Sequence, residues 1–83
     1  MDKVLVGIHA PTIQAVYDAF IPVDVKIGDL VKNLARGMAD LSDGKYGVSG
    51  REMLSLKEPE MLLDPRLTLR DYGVEDGMQL CLL

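Results

Sequence analysis

Apolar and polar positions alternate at the start of the chain. In "KVLVGIHA", Val4, Val6 and Ile8 point one way and Lys3, Leu5, Gly7 and His9 the other. A period of two with β-branched residues predicts a strand. "APT" interrupts it, because Pro11 has no N–H to give to a ladder. "IQAVYDAFIP" is a second strand-like run closed by Pro22, near enough to the first to form a hairpin. The period then changes. In "IGDLVKNLARGMADLSDG", Ile27, Leu30, Val31, Leu34, Met38 and Leu41 recur every three or four residues, which places one apolar stripe on a helix. Asp29, Lys32, Asn33, Arg36 and Asp40 fall on the other side, with Arg36 and Asp40 spaced to pair. Gly37 is a weak point within the helix and Gly44 a C-terminal stop. Asp24 sits too early to be a clear N-cap.

"KYGVSG" reads as a loop by its glycines. "REMLSLKE" alternates Leu54 and Leu56 against Met53, Ser55 and Lys57, predicting a third strand that Pro59 ends. "EMLLDP" is a short apolar run before a turn at Asp64-Pro65, "TLRDYG" suits one tight turn, and "GMQLCLL" alternates Leu80 and Leu82 against Gln79, Cys81 and Leu83 as a final strand. Strands on both sides of one amphipathic helix define an α+β class: a mixed sheet of four to five strands with the helix across one face. The expected core is Val4, Val6, Ile8, Leu30, Leu34, Leu54, Leu56, Leu69, Leu80 and Leu82.

Composition narrows the functional classes. Eighty-three residues make one small domain, read here as residues 1–83. The net charge of −4, with nine basic residues scattered singly, argues against nucleic acid and against an anionic membrane surface. No stretch approaches the roughly 18 apolar residues that span a bilayer, and no signal peptide is seen, so a cytoplasmic location is expected. One cysteine, Cys81, rules out an internal disulfide and any cysteine-rich metal site. His9, the single histidine, lacks partners for a metal and is expected to be a solvated turn residue near a strand end. Cys81 has no activating neighbour in sequence and is expected to be a half-buried strand residue. Without a glycine-rich phosphate loop, a nucleophile elbow or a second histidine, no catalytic site and no cofactor are expected.

The strand, strand, helix, strand, short strand, turn, strand order is that of the β-grasp. "LLDPRLTLRDYGVEDGMQLCLL" resembles the C-terminal part of ubiquitin-like domains through Leu63, Thr68, Leu69, Asp71, Tyr72, Val74, Leu80 and Leu82. The resemblance implies that Leu69 and Val74 plug the open end of the core. It also implies that Tyr72 packs its ring and sends its hydroxyl to backbone, and that Gly73 takes a left-handed turn. Tyr17-Asp18, Pro22, the helix start from Ile27 to Val31, Asp71-Tyr72 and Asp76-Gly77 are further similar to the YukD/EsaB family, small bacterial ubiquitin-like proteins associated with type VII secretion.

That resemblance implies a non-catalytic protein-interaction module. Its expected partners are secretion-machinery components or a second copy of the chain. Ubiquitin and the β-grasp sulfur carriers work through a flexible tail ending Gly-Gly, whereas this sequence ends at Leu82-Leu83 inside a strand, so no conjugation is expected. The alternatives are a general ubiquitin-like scaffold and a sulfur carrier or modifier whose Gly-Gly lies beyond Leu83. Partners of ubiquitin commonly bind an apolar patch on the outer sheet face. Aligned on Asp71-Tyr72, the central aliphatic of that patch falls near Lys57, so ubiquitin receptors are expected to bind weakly. With Val4, Val6, Ile8, Leu80 and Leu82 inward, Leu5, Met53, Cys81 and Leu83 are the expected outward apolar residues. Together with Lys57 they form the expected protein-binding surface.

Overall fold

The computed structural model describes residues 2–83. Strands β1 (Lys3–Ala10) and β2 (Ala15–Pro22) form an antiparallel hairpin around a 3-10 turn at Pro11–Ile13. Helix α1 (Ile27–Leu41) follows, then β3 (Leu54–Leu56), β4 (Met61–Leu62), a second 3-10 turn at Arg70–Tyr72, and β5 (Gln79–Leu82). The sheet has five strands in the order β2-β1-β5-β3-β4. The central pair, β1 and β5, is parallel, with Ile8 opposite Leu80, and β5 pairs antiparallel with β3, with Leu80 opposite Leu56. The inward residues of the three central strands therefore stand in one row beneath the helix. The third strand is shorter than "REMLSLKE" suggests, but Met53 and Leu83 extend its pairing by exchanging both backbone hydrogen bonds, at 3.1 and 2.8 Å.

All the expected core residues are buried except Leu34, which is half-buried and packs against the cluster. The helical stripe needs one correction. Leu41 is 64% exposed, whereas Ala35 is fully buried. At the end of α1 the chain turns inward through Ser42 rather than Leu41. Ser42 Oγ accepts the N–H of Tyr46 at 2.9 Å, and Tyr46 is buried where the sequence suggested only loop. Gly44 does stop the helix, at φ +81°, with its N–H on the carbonyl of Ala39. The Arg36–Asp40 pair is not formed. Arg36 turns back to donate to Asn33 Oδ1 at 3.2 Å.

Asp24 caps nothing in α1, since its carboxylate is taken by Arg70. The helix start is instead satisfied from a distant segment. The N–H of Ile27 donates to the carbonyl of Leu67 at 2.8 Å, and that of Gly28 to Pro65 at 2.9 Å. These are two of the orphan donors every helix start presents. Around the second 3-10 turn, Thr68 and Asp71 exchange side chain-to-backbone bonds at 3.0 and 3.2 Å. The Tyr72 hydroxyl accepts the backbone N–H of Asp64 at 2.8 Å, and Gly73 is left-handed at φ +67°. Leu69 and Val74 are buried at this end of the core, as the resemblance implies.

Charge pairing on this side fixes the termini of several elements. Arg70 donates to Asp24 at 2.6 and 3.0 Å and to Asp2 at 2.7 Å, tying Asp2 and the β2–α1 connection to the 3-10 turn. The hydrogen bonds from Arg70 lower the Asp24 carboxyl below the usual aspartate value. Asp64 accepts the Arg66 side chain first and the Arg66 backbone N–H second, which holds its carboxyl at about 2. A carboxyl depressed on folding contributes stability that is complete above its unfolded pKa, about 3.9, and is lost as pH falls through the folded value. The urea midpoint is therefore expected to drop between about pH 4 and pH 2. Carbon-detected titration of the Asp64 carboxyl should have its midpoint near 2. A midpoint at the ordinary aspartate value would remove Asp64 from this window.

Candidate interaction surface on the outer sheet face

The face of the sheet away from α1 is the candidate site, and strand register dictates which side chains meet on it. Leu5 lies across from Phe20 on β2. On the other side the N–H of Gly77 donates to the carbonyl of Leu5, while the N–H of Leu5 donates to Asp76 Oδ1, both at 2.8 Å. The next outward row is Asp18, Gly7, Gln79 and Lys57, the last through its N–H on the Gln79 carbonyl at 3.0 Å. Val16, His9, Cys81, Ser55 and Leu62 make the third row. Leu83 and Met53 make the fourth.

Met53, Cys81 and Leu83 are thus brought together, with Lys57 two residues along β3 from Ser55. Leu5 is not among them. It sits three outward rows from Leu83, roughly 20 Å at about 3.3 Å per residue. The face has two apolar ends. One joins Leu5 to Phe20, which is 63% exposed, with the Lys3 ammonium 5.9 Å from the ring centre. The other holds Met53 and Leu83, 45% and 55% exposed, beside the half-buried Cys81.

Between these ends the central strands present polar side chains, with the exposed Val16 and Leu62 at the two edges of the third row. Gln79 Nε2 donates to the Gly77 carbonyl at 3.1 Å, which leaves Oε1 to accept Nε2–H of His9 at 2.7 Å. Gly7 makes this arrangement possible, since a Cβ there would lie 2.3 Å from Gln79 Oε1. His9 is therefore a β1 residue on the sheet face, tied to Gln79, and not a turn residue. Its ring stands in the row next to Cys81. Among the described residues no three His, Cys, Asp or Glu side chains come together to hold a metal.

A second surface escaped the sequence. A groove of about 780 Å³ runs between α1 and the β3–β4 edge. Its buried floor includes Ile27, Val31, Leu54 and Leu63, and Val48, Met53 and Leu62 form an exposed wall. Met53 and Leu62 border both surfaces. The groove depends on the conformation of the 43–53 loop, which no periodicity reports. That loop is pinned by Tyr46 in the core and by Glu52, whose carboxylate accepts the N–H groups of Ser49 and Gly50 and the Ser49 hydroxyl. These bonds, the Ser49 backbone N–H foremost, lower the Glu52 carboxyl below its usual value.

One amphipathic helix across a mixed sheet with parallel β1 and β5 at its centre is the β-grasp, and the chain is a ubiquitin-like protein. It belongs to the YukD family: residues 4–82 match the family described as "WXG100 protein secretion system (Wss), protein YukD". Among solved structures it is similar to the ubiquitin-like domain of the Mycobacterium tuberculosis type VII secretion system protein EccD1. The TM-score is 0.77 at 18% identity, covering 100% of this chain and 99% of that one. It is similar also to the EccD5 ubiquitin-like domain from Mycobacterium xenopi, with a TM-score of 0.76, 21% identity, and 100% and 97% coverage. Ubiquitin from Caldiarchaeum subterraneum gives 0.70 at 14% identity, with 98% and 91% coverage. At such identities these are likenesses of fold. No curated protein matches the chain. Among the described residues, no helix is long and apolar enough to cross a membrane.

Proposed function

We propose that this protein is a non-catalytic interaction module, a cytoplasmic accessory of the type VII secretion machinery that acts by docking another protein on its outer sheet face. The YukD-family match over residues 4–82 carries the secretion part of this reading. Its likeness to ubiquitin-like domains of EccD proteins supports the same setting. The exposed apolar end formed by Met53, Cys81 and Leu83 is the docking site, with Lys57 one outward row beyond Cys81, since contiguous exposed apolar surface commonly marks an interface. Leu5 belongs with Phe20 to a separate contact area at the other end of the face. Lys57 in the outward row supports discrimination against ubiquitin receptors, because a charge facing their apolar pockets would be desolvated without a partner.

The test is complementation in the native cell. Deletion of the gene is expected to reduce export of WXG100-type substrates, and the wild-type gene to restore it. A Met53→Asp, Leu83→Asp double variant, shown to be folded by circular dichroism, is expected not to restore it. Unchanged export in the deletion strain would exclude the secretion role, and full rescue by the folded double variant would exclude this docking site.

A further inference from the structure

The groove between α1 and the β3–β4 edge shares only Met53 and Leu62 with the outer face, and its chemistry specifies an occupant. Its volume, about 780 Å³, falls within the range of formed ligand sites. Its floor is apolar, whereas its helical lip carries Lys32 and Arg36, one turn apart. Both are exposed, and neither joins an ion pair among the described residues; Arg36 reaches only Asn33 Oδ1. Of the two acids that also line the groove, Asp64 is paired with Arg66, whereas Glu52 keeps its charge and is held against the 49–50 backbone. The helical lip itself is therefore cationic over apolar surface.

The wall is open to solvent, with Val48 and Leu62 just over half exposed. An acyl chain would remain largely uncovered there, whereas a peptide laying one apolar face into the groove would cover it. Lys32 and Arg36 are about 6 Å apart along the helix axis. That matches carboxylates at i and i+4 of a helical peptide or at i and i+2 of an extended one.

We infer that this groove receives an acidic amphipathic segment of a partner protein, large apolar side chains on the floor and two carboxylates on Lys32 and Arg36. The inference stands independently of the secretion reading, because it rests on the groove alone.

The experiment selects random 12-residue peptides displayed against the folded chain, then titrates the most enriched one, synthesised and labelled, into isotope-labelled protein. Expected are sequences with Leu, Ile or Phe flanked by Asp or Glu, with shifts confined to α1 and the 43–65 region. Affinity should fall by about tenfold or more in a Lys32→Glu, Arg36→Glu variant, as reversal of two rim charges implies. It should fall also in Val48→Asp, and be unchanged in Leu5→Asp. All these positions are exposed, so the fold is not at stake. The inference is overturned if no peptide saturates the groove, if selected peptides lack acids, or if they bind the charge-reversed variant equally. It is equally overturned if the shifts map to the outer sheet, if decanoate displaces the peptide and binds more tightly, or if the groove is occupied by a second copy of the chain.

Discussion

Replacing Leu80 with alanine is expected to destabilise the protein by about 2–5 kcal/mol, against about 4–12 kcal/mol available to a chain of this length. Leu80 is fully buried, flanked by Ile8 on β1 and Leu56 on β3 in the central inward row. Truncation opens a cavity between sheet and helix that neighbours on three elements cannot fill together, and the loss includes both transfer and cavity contributions. Leu41→Ala serves as the counterpart. It removes an equal side chain from the end of the apparent helical stripe, yet Leu41 is 64% exposed, so its cost should stay within about 0.5 kcal/mol. Urea denaturation of both variants measures the difference. Equal costs would mean that the helix ends in a different orientation and that Leu41, not Ala35 and Ser42, closes the core.

The second large effect is expected at Gly28, in the first turn of α1. A Cβ at this position would lie 3.2 Å from Pro65 Cβ and 3.3 Å from its carbonyl oxygen, the same oxygen that accepts the Gly28 N–H. Valine there would push the Pro65–Leu67 segment off the helix start and weaken both caps. The overpacking cost, about 1–3 kcal/mol, exceeds the gain in helix propensity over glycine, which is at most about 1 kcal/mol. Gly28→Val is thus expected to lower the urea midpoint and to speed amide exchange at Ile27. An unchanged midpoint with a protected Ile27 amide would show that the connection yields without loss.

These two sites also mark how far the sequence could be read. The alternation in β1 and β5 and, apart from Leu41 and Ala35, the stripe of α1 identified the inward residues, because periods of two and 3.6 report which way a side chain faces. They did not report which residues share a row. Leu5 and Leu83 both face outward, but pairing of β1 with β5 sets Leu5 beside Gly77, six residues short of Leu83. The helix cap was invisible for a related reason. Its acceptors are carbonyls of Pro65 and Leu67, which any residue type could supply and which lie almost 40 positions downstream. The groove was missed because it is made by a loop whose shape depends on Ser42, Tyr46 and Glu52 bonding locally. The "TLRDYG" segment was legible because its residues are chemically specific: Thr68 and Asp71 cap each other, Tyr72 reaches Asp64, and Gly73 takes positive φ.

The central claim, that this ubiquitin-like protein docks a secretion component through the Met53–Leu83 end of its outer face, is tested most directly by site-specific photocrosslinking in the native cell. A photoreactive amino acid in place of Leu83 is compared with one in place of Asp40, exposed on α1. The account predicts a discrete crosslink to a type VII secretion component from position 83 and none from position 40. No crosslink from position 83 to any component of that machinery, in cells that are actively exporting its substrates, would contradict it.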